Sequence, residues 1–293
     1  MRPSQLLARL LIAVSLLAVS AAAQQPASMP PAKTAEVFGQ MIRYYDSGQG
    51  PTVILLHGMA SSGERWVSNI GPLATDFHVY ALDQIGFGHS DKPMMDYKIA
   101  TFVDFLREFM QVVNIPKATL IGHSMGGWIA AQFTIEHPEM VDRLVLADAS
   151  GMPPASTSNP AEEQKGKPDF SFASLAATRS LLQSVYYNKK LVSDELVRRV
   201  FQMHLQINDS YTIQRLLSNR SAEYLDDKLS SIRAPTLVIW GRQDELVPIS
   251  AGEQYQKAIA KSQMVVIDEC GHLTPSEKPS EFNKAVLEFL RKP

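Results

Sequence analysis

The sequence predicts an α/β protein in which a doubly wound, mostly parallel sheet carries one helical insertion. Three features predict it. Six short apolar runs, at 52–57 (TVILLH), 78–83 (HVYALD), 118–122 (ATLIG), 143–148 (RLVLAD), 236–241 (TLVIWG) and 264–268 (MVVID), are nearly continuous rather than alternating. Strands buried on both faces have that pattern. Helical segments separate the runs, and strand–helix alternation builds a parallel sheet covered on both sides. The alternation stops once, between Met152 and Asp227, where no strand-like run occurs.

From the start of the chain, MRPSQLLARLLIAVSLLAVSAAAQQP places Arg2 and Arg9 ahead of an apolar run that ends near Ala21-Ala22-Ala23. That three-part layout predicts a signal peptide over 1–23, cleaved after Ala23, and an exported protein, periplasmic or secreted. The apolar run is shorter than the ~20 residues of a spanning helix, so no stable membrane anchor is expected after cleavage. Residues 24–35 (QQPASMPPAKTA) are rich in proline and alanine and read as a linker. The first part of the core is expected over 36–151, a helical cap over 152–227 and the second part of the core over 228–293. Within 101–113, Phe102, Phe105, Leu106, Phe109, Met110 and Val113 recur at spacings of three and four, which predicts an amphipathic helix. Helices are also expected over 125–137, 251–260 and 280–291, and at 191–204 within the cap. The apolar residues Phe170, Phe172, Leu175, Leu181, Leu182, Val185 and Tyr186 are available there to roof a pocket for a hydrophobic group.

Composition narrows the function. The 293 residues carry a formal net charge of −2 with no run of basic residues, so the electrostatic footprint of a nucleic-acid binder is missing. Cys270 is the only cysteine, which excludes an intramolecular disulfide. No cluster of histidines and acids has metal-ligand spacing, and no dinucleotide fingerprint follows the first run, so neither metal nor cofactor is expected.

The chemistry is concentrated in GHSMG at 122–126, a GxSxG directly after an apolar run and before a helical one. Gly122 and Gly126 leave room for a sharp strand-to-helix turn that raises the Ser124 hydroxyl above the sheet. The following helix points its N-terminus at the site, where backbone N–H groups favour negative charge. A serine hydroxyl needs a histidine base, and the base needs an acid to orient it. Of seven histidines, His272 in ECGHLTP follows the last strand run and can reach over the strand ends; His57 sits at the end of TVILLH and His123 inside the elbow, and His78, His89, His137 and His204 have no comparable setting. Asp244 in WGRQDELVP follows the penultimate strand and is preferred as the acid. Its rival, Asp148, is read as a structural acceptor, and Asp83 as a tie for the IGFGHS loop. The oxyanion donors are expected to be the backbone N–H groups of Met125, next to the serine, and Met59, in HGMASS.

These residues bring a resemblance into view. LLHGMASSGERW, LDQIGFGHSDKP, LIGHSMGGWIAA, RLVLADASG, PTLVIWGRQDELVP and CGHLTPSEKP resemble, in order, the motifs of the α/β-hydrolase superfamily over residues 37–292. The resemblance implies a Ser-His-Asp hydrolase in which His57 shapes the oxyanion loop. Ser124 sets the chain apart from the dehalogenases and epoxide hydrolases of that superfamily, whose nucleophile is aspartate. YYNKKLVSDELVRRVFQ is similar to the lid helix of the hydrolases that cleave carbon–carbon bonds in ring-cleavage products. Those enzymes usually carry asparagine before the serine and tryptophan after the histidine, where this chain has His123 and Leu273, and Arg199 lies only near their lid arginine. Monoacylglycerol lipases are comparably similar. The leading expectation is therefore cleavage of a small carboxylic ester with a hydrophobic acyl group. The alternatives are a carbon–carbon bond (vinylogous diketone) hydrolase with the same triad and a low-turnover ligand receptor of the same fold.

Overall fold

The computed structural model describes residues 28–153, 169–219, 224, 225 and 227–292. The expected signal segment at 1–23 and part of the cap therefore lie outside the described residues. Eight strands form one sheet: β1 (Ala32–Val37), β2 (Gln40–Ser47), β3 (Thr52–Leu56), β4 (His78–Leu82), β5 (Ala118–His123), β6 (Val141–Ala147), β7 (Thr236–Gly241) and β8 (Ser262–Ile267). Their spatial order is β1-β2-β4-β3-β5-β6-β7-β8. The pairs β1–β2 and β2–β4 are antiparallel and every pair from β4–β3 to β7–β8 is parallel.

All six apolar runs become strands, and they do so because both faces of the sheet are covered. Along β3, Val53 and Leu55 face one core while Ile54 and Leu56 face the other, and β7 alternates likewise with Leu237 and Ile239 against Val238 and Trp240. On one side lie α2 (Ile99–Val112), α3 (Met125–Glu136) and α7 (Ile249–Ala258); on the other lie α1 (Val67–Leu73), the single turn α8 (Thr274–Glu277) and α9 (Pro279–Leu290). Phe282, Val286 and Phe289 of α9 pack against the second core, as their helical spacing predicts. Burying each such side chain contributes about 1.5–3 kcal/mol.

The hairpin β1–β2 is a correction to the expected linker: β1 opens at Ala32, so residues 32–35 belong to the sheet. Its two-residue turn, Phe38-Gly39, has positive φ at both positions (51° and 74°), the geometry that matches strand twist in a tight hairpin. β1 is an edge strand whose first three residues are exposed, so it lacks the apolar run that marks the buried strands.

Among the described residues of 152–227 there is no strand. The segment contributes α4 (Leu175–Val185), α5 (Asp194–Met203) and α6 (Asp209–Asn219). The helix expected from residue 191 starts instead at Asp194, because the Ser193 hydroxyl accepts the Leu196 N–H at 3.1 Å and caps it there. Of the apolar residues expected to roof a pocket, Phe172, Leu181, Leu182, Val185 and Tyr186 are buried, whereas Leu175 is exposed.

Candidate active site

The strands of the parallel sheet end on one edge, and the residues just past their C-terminal ends make the site. β5 runs into α3 through Ser124, whose backbone is held at φ 54°, ψ −121°. A β-carbon added at Gly126 would lie 2.2 Å from the Leu56 carbonyl oxygen, and one at Gly122 would lie 2.2 Å from the Gly126 carbonyl oxygen. Both obstacles are backbone atoms, so the turn tolerates only glycine at these positions. Gly126→Ala is expected to cost about 3 kcal/mol of stability, read as a lowered urea midpoint at unchanged slope.

The nucleophile candidate meets its partners in line. Ser124 Oγ lies 2.9 Å from His272 Nε2, and His272 Nδ1 lies 2.8 Å from Asp244 Oδ2. Asp244 Oδ1 accepts the N–H groups of Leu246 and Val247, each at 2.9 Å, so the carboxylate is fixed before it meets the imidazole. These partners assign the tautomer: Nδ1–H donates to Asp244 and Nε2 accepts from the serine hydroxyl. All three side chains are buried. Burial alone lowers the affinity of His272 for a proton, but the charge and hydrogen bond of Asp244, with the charge of Asp148, outweigh it, so its pKa is raised.

The loop carrying His272 is held from several sides. Its backbone N–H donates to the Val185 carbonyl at 2.9 Å, and its own carbonyl accepts His123 Nε2–H at 2.7 Å. Burial, and then the nearby His272, keep His123 well below the usual imidazole range, so it serves as a neutral donor. Glu277 accepts the N–H groups of Gly271 at 2.9 Å and Tyr187 at 3.1 Å, joining the histidine loop to the end of α4. The core and the insertion thus share the seat of His272. His123 was passed over in the sequence because nothing there shows that its ring reaches a loop 149 positions away. Glu277 had no sequence signal at all.

Asp148 and Asp83 act as acceptors. Asp148 Oδ1 takes the Gly241 N–H at 2.9 Å, and its Oδ2 takes the Thr274 hydroxyl at 2.7 Å and N–H at 3.1 Å, tying β6 to β7 and to the segment after His272. Burial, and next the charge of Asp244, push its carboxyl up to about 8, with these hydrogen bonds opposing them. Asp83 accepts from Gly63 and His89, each at 2.7 Å, and so fixes the glycine-rich loop. His57 is also structural: Nδ1–H donates to the Gly58 carbonyl at 2.7 Å, Nε2 accepts the Gln84 N–H at 3.0 Å, and burial pushes its pKa down to about 4.

Met125 opens α3, so its N–H has no acceptor within the helix. The loop bearing Met59 packs on the same turn: a β-carbon at Gly58 would stand 3.0 Å from the Ser124 β-carbon. Ser150 adds a hydroxyl 3.5 Å from Ser124 Oγ that the sequence did not single out. Trp66 packs near Phe282 with ring centroids 6.1 Å apart, and Trp128 stacks on Tyr224 at 5.6 Å. Arg199 is exposed on α5. Among the described residues no group of three His, Cys, Asp or Glu side chains is arranged to hold a metal ion. Cys270 is fully buried and burial raises its thiol pKa strongly. A disulfide thiol reagent is expected to leave the folded protein unlabelled and to titrate one thiol after unfolding; rapid labelling of the native protein would contradict the burial.

This arrangement can activate a hydroxyl, hold a histidine as base and present backbone N–H groups to an oxyanion. A family model described as the alpha/beta hydrolase fold matches residues 51–279. The 2-hydroxy-6-oxo-6-phenylhexa-2,4-dienoate hydrolase of Comamonas testosteroni is 31% identical over 263 residues, 86% of this chain and 91% of that protein. Among solved structures, a meta-cleavage product hydrolase from Pseudomonas fluorescens IP01 aligns with a TM-score of 0.77 at 30% identity, covering 88% of this chain and 97% of its own. A bacterial membrane phospholipase A, described as a virulence factor, aligns with a TM-score of 0.77 at 28% identity, covering 89% of this chain and 85% of its own. With the match over 51–279 and the eight-stranded, mostly parallel sheet, the chain belongs to the alpha/beta hydrolase family.

Proposed function

We propose that the chain is a serine hydrolase that cleaves the carbon–carbon bond of a vinylogous diketone carrying a carboxylate. The observation that carries the hydrolase reading is the hydrogen-bonded line Ser124–His272–Asp244. The bond class is favoured by relatives named as dienoate hydrolases, and it displaces the carboxylic ester that the motifs led us to expect. In this reading Ser124 Oγ adds to the ketone carbonyl while His272 takes its proton and Asp244 stabilises the imidazolium. The Met59 and Met125 amides receive the oxyanion. When the tetrahedral adduct collapses, the carbon–carbon bond breaks and its electron pair leaves as an enolate, which takes the proton from His272. Water, activated by the same histidine, then releases the acid and frees Ser124.

Ester hydrolysis is the second reading. It is favoured by His123 and Leu273, which stand where the carbon–carbon hydrolases usually carry asparagine and tryptophan, and by the likeness to a phospholipase A. The two are separated by assaying the purified protein on 2-hydroxy-6-oxo-6-phenylhexa-2,4-dienoate and on a p-nitrophenyl ester series. The proposal expects kcat/KM on the dienoate to exceed that on any ester by at least tenfold, and the reverse order would install the ester reading.

A further inference from the structure

The segment after the oxyanion loop contributes one cation, Arg65, that pairs with no carboxylate among the described residues. Arg65 belongs to the 3-10 turn Gly63–Trp66 and is partly buried. Its Nε donates to Ser61 Oγ and its Nη1 to the Tyr186 hydroxyl, both at 3.3 Å. Both partners are neutral, and among the described residues no carboxylate lies within ion-pair distance of Arg65. Five other arginines pair with carboxylates: Arg43 with Glu64, Arg179 with Asp194, Arg215 with Asp96, Arg242 with Asp268 and Arg291 with Asp76. Of the remaining described arginines, Arg107, Arg198, Arg199 and Arg233 are exposed to water, and Arg143 donates to the Phe289 and Lys292 carbonyls. The adjacent Glu64 is already engaged with Arg43 and the Tyr45 hydroxyl. Partly burying a guanidinium without an anion costs free energy, and an anion bound beside it offsets that cost.

The position of Arg65 says which anion. Ser61 lies two residues from Met59 on the oxyanion loop, and Tyr186 follows Val185, whose carbonyl holds the His272 backbone. Arg65 therefore bridges the oxyanion loop and the segment that seats the histidine. Burial is the largest single influence on the proton affinity of His57, His123 and His272, and the positive charge of Arg65 is a lesser influence that opposes protonation of all three. The described helices of the insertion offer no substitute: Arg179 of α4 is tied to Asp194, and Arg198 and Arg199 of α5 are exposed.

We infer that Arg65 is the anion-recognising residue of this active site, taking a carboxylate carried by the substrate alongside the carbonyl that Ser124 attacks. Two of its five N–H donors meet hydroxyls, which leaves three for a charge-assisted carboxylate contact. The inference rests on Ser124 being the nucleophile, and it holds whether the leaving group is a carbon or an oxygen.

The test compares substrates that differ only in charge. One pair is 2-hydroxy-6-oxo-6-phenylhexa-2,4-dienoate and its methyl ester; the other is mono-p-nitrophenyl glutarate and its methyl ester. In the unaltered protein, kcat/KM is expected to favour the anionic member of whichever pair is turned over. Arg65→Met is expected to lower that anionic-to-neutral ratio at least tenfold, and Arg65→Lys to recover part of it. Tyr186→Phe, which removes only the hydroxyl that Arg65 donates to, is expected to keep the ratio within twofold. A ratio unchanged in Arg65→Met, or equally reduced in Tyr186→Phe, would reassign Arg65 to holding the insertion. Should Arg65→Met not fold, a ratio at or below one in the unaltered protein overturns the inference without it. Failure to turn over either pair would instead remove the hydrolase reading itself, and the inference with it.

Discussion

Ser124→Ala is expected to lower kcat by roughly 10⁴- to 10⁶-fold on any substrate the enzyme turns over. Among the described residues, this hydroxyl alone is placed both on a base, 2.9 Å from His272 Nε2, and at the opening of α3, where the Met125 N–H has no acceptor within the helix. Removing it leaves the oxyanion donors and the binding surface intact, so substrate affinity should change far less than the chemical step. Stability should also change little, within about 1 kcal/mol, because alanine inherits the same strained backbone and only one side-chain hydrogen bond of consequence is lost. Mass spectrometry provides an independent reading: a fluorophosphonate should add once, to Ser124, in the unaltered protein and not at all in Ser124→Ala. Turnover that survives the substitution would end the mechanism, whichever bond is cleaved.

The core of the fold was legible because burial on both faces leaves a mark in the sequence. TVILLH and TLVIWG carry few polar residues because α-helices cover each side of β3 and β7. β1 carries no such mark: Ala32, Lys33 and Thr34 face solvent, and what makes them a strand is pairing with Tyr45, Tyr44 and Arg43 of β2, which composition does not record. The same division runs through the site. Ser124, Asp244 and His272 were readable because each follows a buried strand at the edge where strands end. His123, Glu277 and Arg65 were not, because their roles arise from contacts with loops 149, 90 and 121 positions away. Substrate choice is the least legible property, since no motif of the sequence specifies it. The motif-bearing loops are shared by hydrolases of several bond classes, so they led to an ester where the relatives favour a carbon–carbon bond.

Which acid serves His272 is open to a decisive pair of substitutions. Asp244→Asn is expected to lower kcat about 10⁴-fold, because asparagine can hold the ring in the wrong tautomer and cannot stabilise imidazolium. Asp148→Asn is expected to cost less than about tenfold, since Asp148 bonds Gly241 and Thr274 rather than the ring. Comparable losses from both would show that the two carboxylates share the role. The pH dependence gives the sign. His272 acts as a base only when neutral, and its pKa is raised above 6.5, so kcat/KM should fall as pH drops through a value above 6.5. In Asp244→Asn the charge and hydrogen bond that raise the imidazole disappear while burial remains, so the residual activity should persist to lower pH. Stability runs the other way. A raised imidazole pKa means that folding takes up a proton, so this stabilisation is complete below 6.5 and is lost as pH rises through the folded value. Asp148, raised to about 8, has the same sign: its contribution is present below the ordinary carboxylate range and is lost as pH rises through about 8. The protein should therefore be more active, yet easier to unfold, at pH 8.5 than at pH 6. Urea titrations at the two values, paired with the activity profile, would expose a wrong assignment if both properties rose or fell together.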